Sequence, residues 1–269
     1  MWYTLKIRGL ASGHSGIEIG CGRANAVKLA AEFLTRIKAE QVSAFSAGTK
    51  CNVIPKEAAV TFSAEGDAAS CFAEYCAEIK SLYAETDSEI CMTLRAAEIP
   101  AVAYTADFVQ ALSECRNGVV EEDSRGVITS SNLAAVVDEP EGFRIITLQR
   151  SAKNVSRDAL SAEIAFVFRE AGAEVFSHSS FSGWLLAKDS PLVLRAAELY
   201  ERLFGRKPDI ETTHGGVECG MIQEKYPEMQ IISLGPTIEA CHTVQERMSV
   251  TSLKETERFL FALIAELQE

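Results

Sequence analysis

Residues 2–39, WYTLKIRGLASGHSGIEIGCGRANAVKLAAEFLTRIKA, decide the fold. At the start, Trp2, Thr4 and Lys6 alternate with Tyr3, Leu5 and Ile7, the period of a strand. From Arg23 to Ala39 the apolar residues Ala26, Val27, Ala30, Phe33, Leu34 and Ile37 fall at helical spacing. A glycine-rich loop containing His14 lies between. Working outward, QVSAFSAG (41–48) and EAAVTFSAE (57–65) read as strands, joined by a loop holding TKCNVIPKE. Asp67 is placed to cap a helix that runs to about Tyr83. EICMTLRAAE (89–98) closes with a strand. The order from Trp2 to Glu98 is thus β-α-β-β-α-β. Two right-handed split crossovers in one antiparallel sheet would make this an α+β, ferredoxin-like unit.

The next segment repeats the order less regularly and without sequence similarity. A helix is expected over about Thr105–Cys115, strands over Gly126–Val137 and Phe143–Arg150, a helix over Val155–Ala171 and a strand at Glu174–His178. The composition changes at FSGWLLAKDSP, which puts a domain boundary near residue 180. A helix then spans Pro191–Phe204, with Gly205 placed to end it. Short strands are expected at DIETT (209–213) and MQIISLGP (229–236), and an amphipathic helix from about Ser252 to Leu267. The face of the 191–204 helix that carries Leu192, Ala196, Leu199 and Leu203 is expected to be partly uncovered, or covered only by another chain.

The chain has 269 residues, 47% apolar and 24% charged, enough for two modest domains. Its net charge of −12 argues against a broad nucleic-acid or anionic-membrane surface. No apolar run approaches membrane-spanning length. The eight cysteines contain no C-x-x-C, and no signal peptide is expected ahead of them. They read as reduced, mostly buried thiols of a cytoplasmic protein.

Three clusters could carry chemistry. His14 sits among glycines, which allow a backbone or ligand to approach closely. A substrate-facing ring and a loop histidine capping the sheet end are equal alternatives there. In THGGVECG (213–220), His214 precedes two glycines, with Glu218 and Cys219 beyond. A helix-start turn with a buried cysteine explains it, and a Cys219–His214 nucleophilic pair is conceivable. In GPTIEACHTVQERM, His242 follows a strand and turn and could ligate a metal, but one histidine does not make a site. The chain has no H-x-D and no H-x-x-x-H. Two further positions matter. Asn52 stands in CNVIP, where Pro55 forces an extended approach. Arg150 ends a strand, where a guanidinium can fork onto a carboxylate or be an ordinary edge charge. The run Glu121-Glu122-Asp123 reads as a solvated loop.

GLASGHSGIEIGCGRANA, CNVIPKEA, TSSNLA, LQRSA, THGGVECGMIQEKYPEM and GPTIEACHTVQERM occur in that order across essentially the whole chain. Together they resemble the aminoacyl-histidine dipeptidases (Xaa-His dipeptidases, bacterial carnosinases), of the dizinc metallopeptidase family that includes aminoacylase and carboxypeptidase G. The resemblance implies an α+β lid and dimerisation domain at 1–180, its ferredoxin-like sheet enlarged by a second similar unit. Residues 181–269 would be the C-terminal portion of an α/β zinc-peptidase catalytic domain. It also implies roles. His14 would polarise the scissile carbonyl, sometimes from a neighbouring subunit. Asn52 and Arg150 would hold substrate, with Arg150 on its free carboxylate. Gly215 and Gly216 would line the substrate pocket, and His242 would be a zinc ligand.

The pattern departs from the family in one major respect. The N-terminal catalytic segment, with its H-x-D histidine, bridging aspartate and general-base glutamate, has no counterpart in these residues. CHTV also stands where a His-Ser-Pro-type sequence is common, and LASGHSG where a Gly-Gly precedes the histidine. A binuclear zinc centre needs several ligands and a base. The expected function is therefore an incomplete zinc dipeptidase for peptides with C-terminal histidine, inactive alone, whose partners are the missing half and a second copy. A non-catalytic dimerisation or peptide-binding module is the alternative.

Overall fold

The computed structural model describes residues 1–124, 126–187, 189–239 and 246–268. The chain divides into two compact units, Met1–Gly183 with Thr213–Gly215, and Trp184–Thr212 with Gly216–Glu269.

In the first unit, β1 (Trp2–Arg8), α1 (Ala26–Arg36), β2 (Gln41–Ala47), β3 (Ala58–Ser63), α2 (Ala68–Leu82) and β4 (Cys91–Ala96) follow one another. Both helix starts are written locally. The Asn25 carboxamide oxygen accepts from the amides of Val27 (2.9 Å) and Lys28 (3.2 Å), and Asp67 accepts from Ser70 N at 3.1 Å. The four strands pair antiparallel in the order β4-β1-β3-β2. Alternate residues of β1, Leu5 and Ile7, point into a core with Phe33 and Leu34 of α1, Phe45 and Phe62. Phe33 meets Phe62 edge-on at 6.1 Å between centroids.

The following segment adds β5 (Tyr104–Thr105), α3 (Asp107–Glu114), β6 (Gly118–Asp123), β7 (Gly126–Glu139), β8 (Gly142–Ser151) and α4 (Asn154–Glu170). These strands do not build a second, separate sheet. β7 joins β2 through Ala47 opposite Val136, β6 and β8 flank β7, and β5 pairs with β2. Among the described residues the result is one antiparallel sheet of eight strands with helices on it. Lys28 of α1 ties the helices together. Its ammonium donates to the carbonyls of Leu112 (3.3 Å), Ser113 and Cys115 (3.1 Å), which close the end of α3. Burial lowers the pKa of this lysine.

Several expectations are corrected. The acidic run 121–123 belongs to the edge strand β6, not to a loop. Glu121 is satisfied there by Lys153, Thr129 and Ser156, so the charge does not end the strand. Residues 174–178 form no strand. Val175 packs on the core, partly buried, while Phe176 is exposed, so one inward side chain accounts for the alternation without a ladder partner. DIETT and MQIISLGP are irregular. The thiols are less buried than expected. Cys115 is buried, Cys21, Cys51 and Cys91 are exposed, and none of these described cysteines is in a disulfide.

In the second unit, α5 (Pro191–Phe204) starts at Ser190, whose hydroxyl accepts from Val193 N at 3.3 Å. It stops at Gly205 (φ +67°). Then come α6 (Glu218–Lys225), the two-residue strands β9 (Ile238–Glu239) and β10 (Arg247–Met248), and α7 (Val250–Glu266). Contrary to expectation, Ala196 and Leu199 of α5 are covered, packing on Phe259 and Leu263 of α7. Val250, Leu253, Leu260, Phe261 and Ile264 of α7 are exposed, as is Leu267 just beyond its end.

Candidate functional site

The loop between β1 and α1 is built as a closed strap. The buried carboxylate of Asp87 accepts from Ala11 N (2.7 Å) through one oxygen and from Ala24 N (2.9 Å) through the other, closing the base. Inside the loop, Glu18 accepts from His14 N at 2.7 Å and pairs with Arg23 at 2.7 Å. Arg23 in turn donates to Ser12 O. Replacing Asp87 with asparagine should lower stability by about 2 kcal/mol, since one buried N–H then faces an amide donor. Urea unfolding measures that loss, and faster hydrogen exchange at Ala11 or Ala24 locates it.

Against this strap runs the segment after β2. His14 and Val53 form an isolated antiparallel bridge, with Ser15 N donating to Asn52 O (2.9 Å) and Ile54 N to Gly13 O (2.9 Å). Asn132, buried in β7, donates to Cys51 O (3.0 Å) and Val53 O (2.9 Å) from one amide nitrogen. The backbone on both sides of Asn52 is thereby fixed, and His14 and Asn52 are held next to each other. Gly16 N donates to His14 Nδ1 at 3.2 Å. An Nδ1 that accepts leaves Nε2 as the protonated nitrogen of the neutral ring.

Arg150 arrives from the end of β8, opposite Ser130 of β7. A methyl group on Gly16 would lie 3.0 Å from His14 Cε1 and 3.3 Å from Arg150 Cζ, so ring and guanidinium flank one glycine. The guanidinium is half-buried, its Nε has no hydrogen-bond partner, and among the described residues no carboxylate pairs with it. Burial lowers its pKa from the ordinary arginine value, yet an arginine stays charged at any physiological pH.

The structure therefore brings His14, Asn52 and Arg150 together. Gly215 belongs to the same unit and Gly216 to the second unit. His242 lies outside the described residues. One neighbour was not singled out for this site from the sequence. His214 is buried in the first unit, within electrostatic reach of Arg150 and His14. The Gly-Gly pair after it marked a close backbone approach, but nothing local marked the burial of its ring.

Such a site offers a fixed cation and a ring N–H donor, equipment to hold a small polar molecule with an anionic end. The model of peptidase family M20/M25/M40 matches residues 10–266. The chain belongs to that family. M20 peptidases are metal-dependent. The M20 chain is 30% identical over 279 aligned residues to the cytosol non-specific dipeptidase of Escherichia coli, covering 98% of this chain and 58% of that protein. It superposes on the aminoacylhistidine dipeptidase of Vibrio alginolyticus with a TM-score of 0.87 and 29% identity, covering 99% of this chain and 57% of the other. It thus spans somewhat over half the length of these relatives. Among the described residues no group of three or more His, Cys, Asp or Glu side chains could hold a metal ion, so they do not form the family's metal centre. Among them, too, no helix is long and apolar enough to cross a membrane.

Proposed function

We propose that this M20 chain is the substrate-holding part of a zinc-dependent dipeptidase acting on peptides with C-terminal histidine. The reading rests on one observation above others: a half-buried guanidinium with no carboxylate partner, beside a histidine whose tautomer is set by a backbone N–H. Arg150 receives the free carboxylate of the peptide, and Asn52 holds its backbone. His14 donates from Nε2 to the carbonyl oxygen of the scissile bond. A donor aimed at that oxygen contributes roughly 2.7–4 kcal/mol as negative charge develops. By resemblance, Gly215 and Gly216 present side-chain-free backbone to the substrate, and His242 supplies one zinc ligand. The domain assignment follows the same resemblance: 1–180 as an α+β lid with a ferredoxin-like first half, 181–269 as catalytic-domain sequence, in a cytoplasmic enzyme. The protein partners proposed are a polypeptide bearing the remaining metal ligands and a second copy of the chain.

Calorimetric titration of the chain with β-alanyl-histidine and with β-alanyl-histamine, which lacks the carboxylate, tests this. The first should bind at least about tenfold more tightly, the discrimination expected of one charge-assisted pair. Equal affinities, or no binding of either, would sink the reading. With zinc added, the chain alone should not hydrolyse the peptide, because a dizinc site needs more ligands than His242. Zinc-dependent turnover that His242→Ala abolishes would overturn that part.

A further inference from the structure

None of the roles above uses His214. The residue is 6% exposed, and its Nε2 is closed off from solvent with no hydrogen-bond partner. Arg150 Nε is in the same condition. Each such buried, unpartnered nitrogen costs about 1–3 kcal/mol, and two of them on side chains within electrostatic reach of each other point to a ligand that serves both. Burial first, then Arg150, then His14, hold the His214 pKa down to about 4. The ring is consequently neutral at pH 7 and has one N–H to give.

The chemistry selects the ligand class. An ammonium is repelled by Arg150. A neutral group satisfies His214 but leaves the guanidinium without a counter-charge. A carboxylate satisfies both, since its two oxygens can take the arginine fork on one side and a ring N–H on the other. We propose that His214 is a specificity-determining contact, donating from Nε2 to one oxygen of the peptide carboxylate while Arg150 holds the other. The inference rests on the reading that Arg150 receives that carboxylate, and adds a second donor which makes the receptor planar and two-sided. Lys or Arg at 214 would not reproduce it, because a second cation beside Arg150 is opposed by the same burial that keeps the imidazole neutral.

The test uses the full chain with His214→Leu, His214→Gln and Arg150→Met, titrated with β-alanyl-histidine and β-alanyl-histamine. His214→Leu should weaken the acid about tenfold, the loss of one charge-assisted hydrogen bond, and leave the histamine compound unchanged. His214→Gln, with an amide donor at the reach of Nε2, should recover most of that loss. The chain has four histidines, so ring-labelled histidine gives few signals to assign. The one missing in His214→Gln should move on adding the acid and stay put on adding the histamine compound. This readout needs only the Gln variant and the unaltered chain, should the Leu variant not fold. If His214→Leu binds the acid as tightly as the unaltered chain while Arg150→Met does not, the inference fails and the reading of Arg150 stands. If Arg150→Met also binds it unchanged, both fail. An unmoved His214 signal at saturation overturns the inference by itself.

Discussion

Methionine at Arg150 is expected to weaken binding of β-alanyl-histidine on the order of a hundredfold, with the affinity for β-alanyl-histamine unchanged. The guanidinium has lost part of its hydration to burial, and no carboxylate among the described residues repays it. The ligand carboxylate is its counter-charge in this account, so removing the cation leaves that carboxylate half-buried and unpaired. Methionine keeps much of the apolar stem of arginine, which limits packing loss. The stability of the free chain gives the decisive contrast. A structural arginine would lower the melting temperature when removed. An unpaired half-buried cation destabilises the free fold, so Arg150→Met should melt no lower than the unaltered chain. Lysine should recover only part of the affinity, because it brings the charge without the fork. Calorimetry and thermal unfolding on the same samples check all three statements.

Gly48→Ala should cost about 3 kcal/mol of stability. Gly48 has φ +66°, and a β-carbon there would lie 2.0 Å from Ala134 O and 3.1 Å from Ala134 C. Both obstacles are backbone atoms of β7, so no side chain can swing aside. Relief requires parting β2 from β7, where Ala47 faces Val136 and Phe45 N donates to Asp138 at 2.6 Å. Asparagine tolerates a positive φ better than alanine but brings the same β-carbon. Gly48→Asn should therefore be no better than Gly48→Ala, and a clear rescue by Asn would show that backbone strain rather than the clash sets the cost. The site feels the same change, since Asn132, two residues before Ala134, holds the carbonyls on either side of Asn52. Urea unfolding gives the stability loss.

Much of the first unit was legible because its signals are local. The strand alternation of β1, the helical spacing of α1 and the cap at Asp67 each involve residues within a few positions of one another, as does the stop at Gly205 in the second unit. His14, Asn52 and Arg150 were legible as motif residues, though not as neighbours. What escaped is non-local. The acids of β6 looked solvated until Lys153 and Ser156 of another element came to meet Glu121. Asp87 looks like a loop acid in TDSEI, yet its partners lie 76 and 63 residues away. The ring of His214 is buried within electrostatic reach of a distant loop residue, His14, and a distant strand residue, Arg150, and no spacing in the sequence reports that. The strand expected at 174–178 failed for the converse reason. Its alternation was real but had no ladder to join.

The central claim is that Arg150 and His14 hold the two ends of one peptide unit, carboxylate and scissile carbonyl. A crystal structure of the chain with β-alanyl-histidine measures this directly. The account predicts the carboxylate about 3 Å from the Arg150 guanidinium nitrogens and the amide carbonyl oxygen turned towards His14 Nε2. A peptide bound with its carboxylate in solvent or on another cation, and Arg150 left as it is, would contradict it.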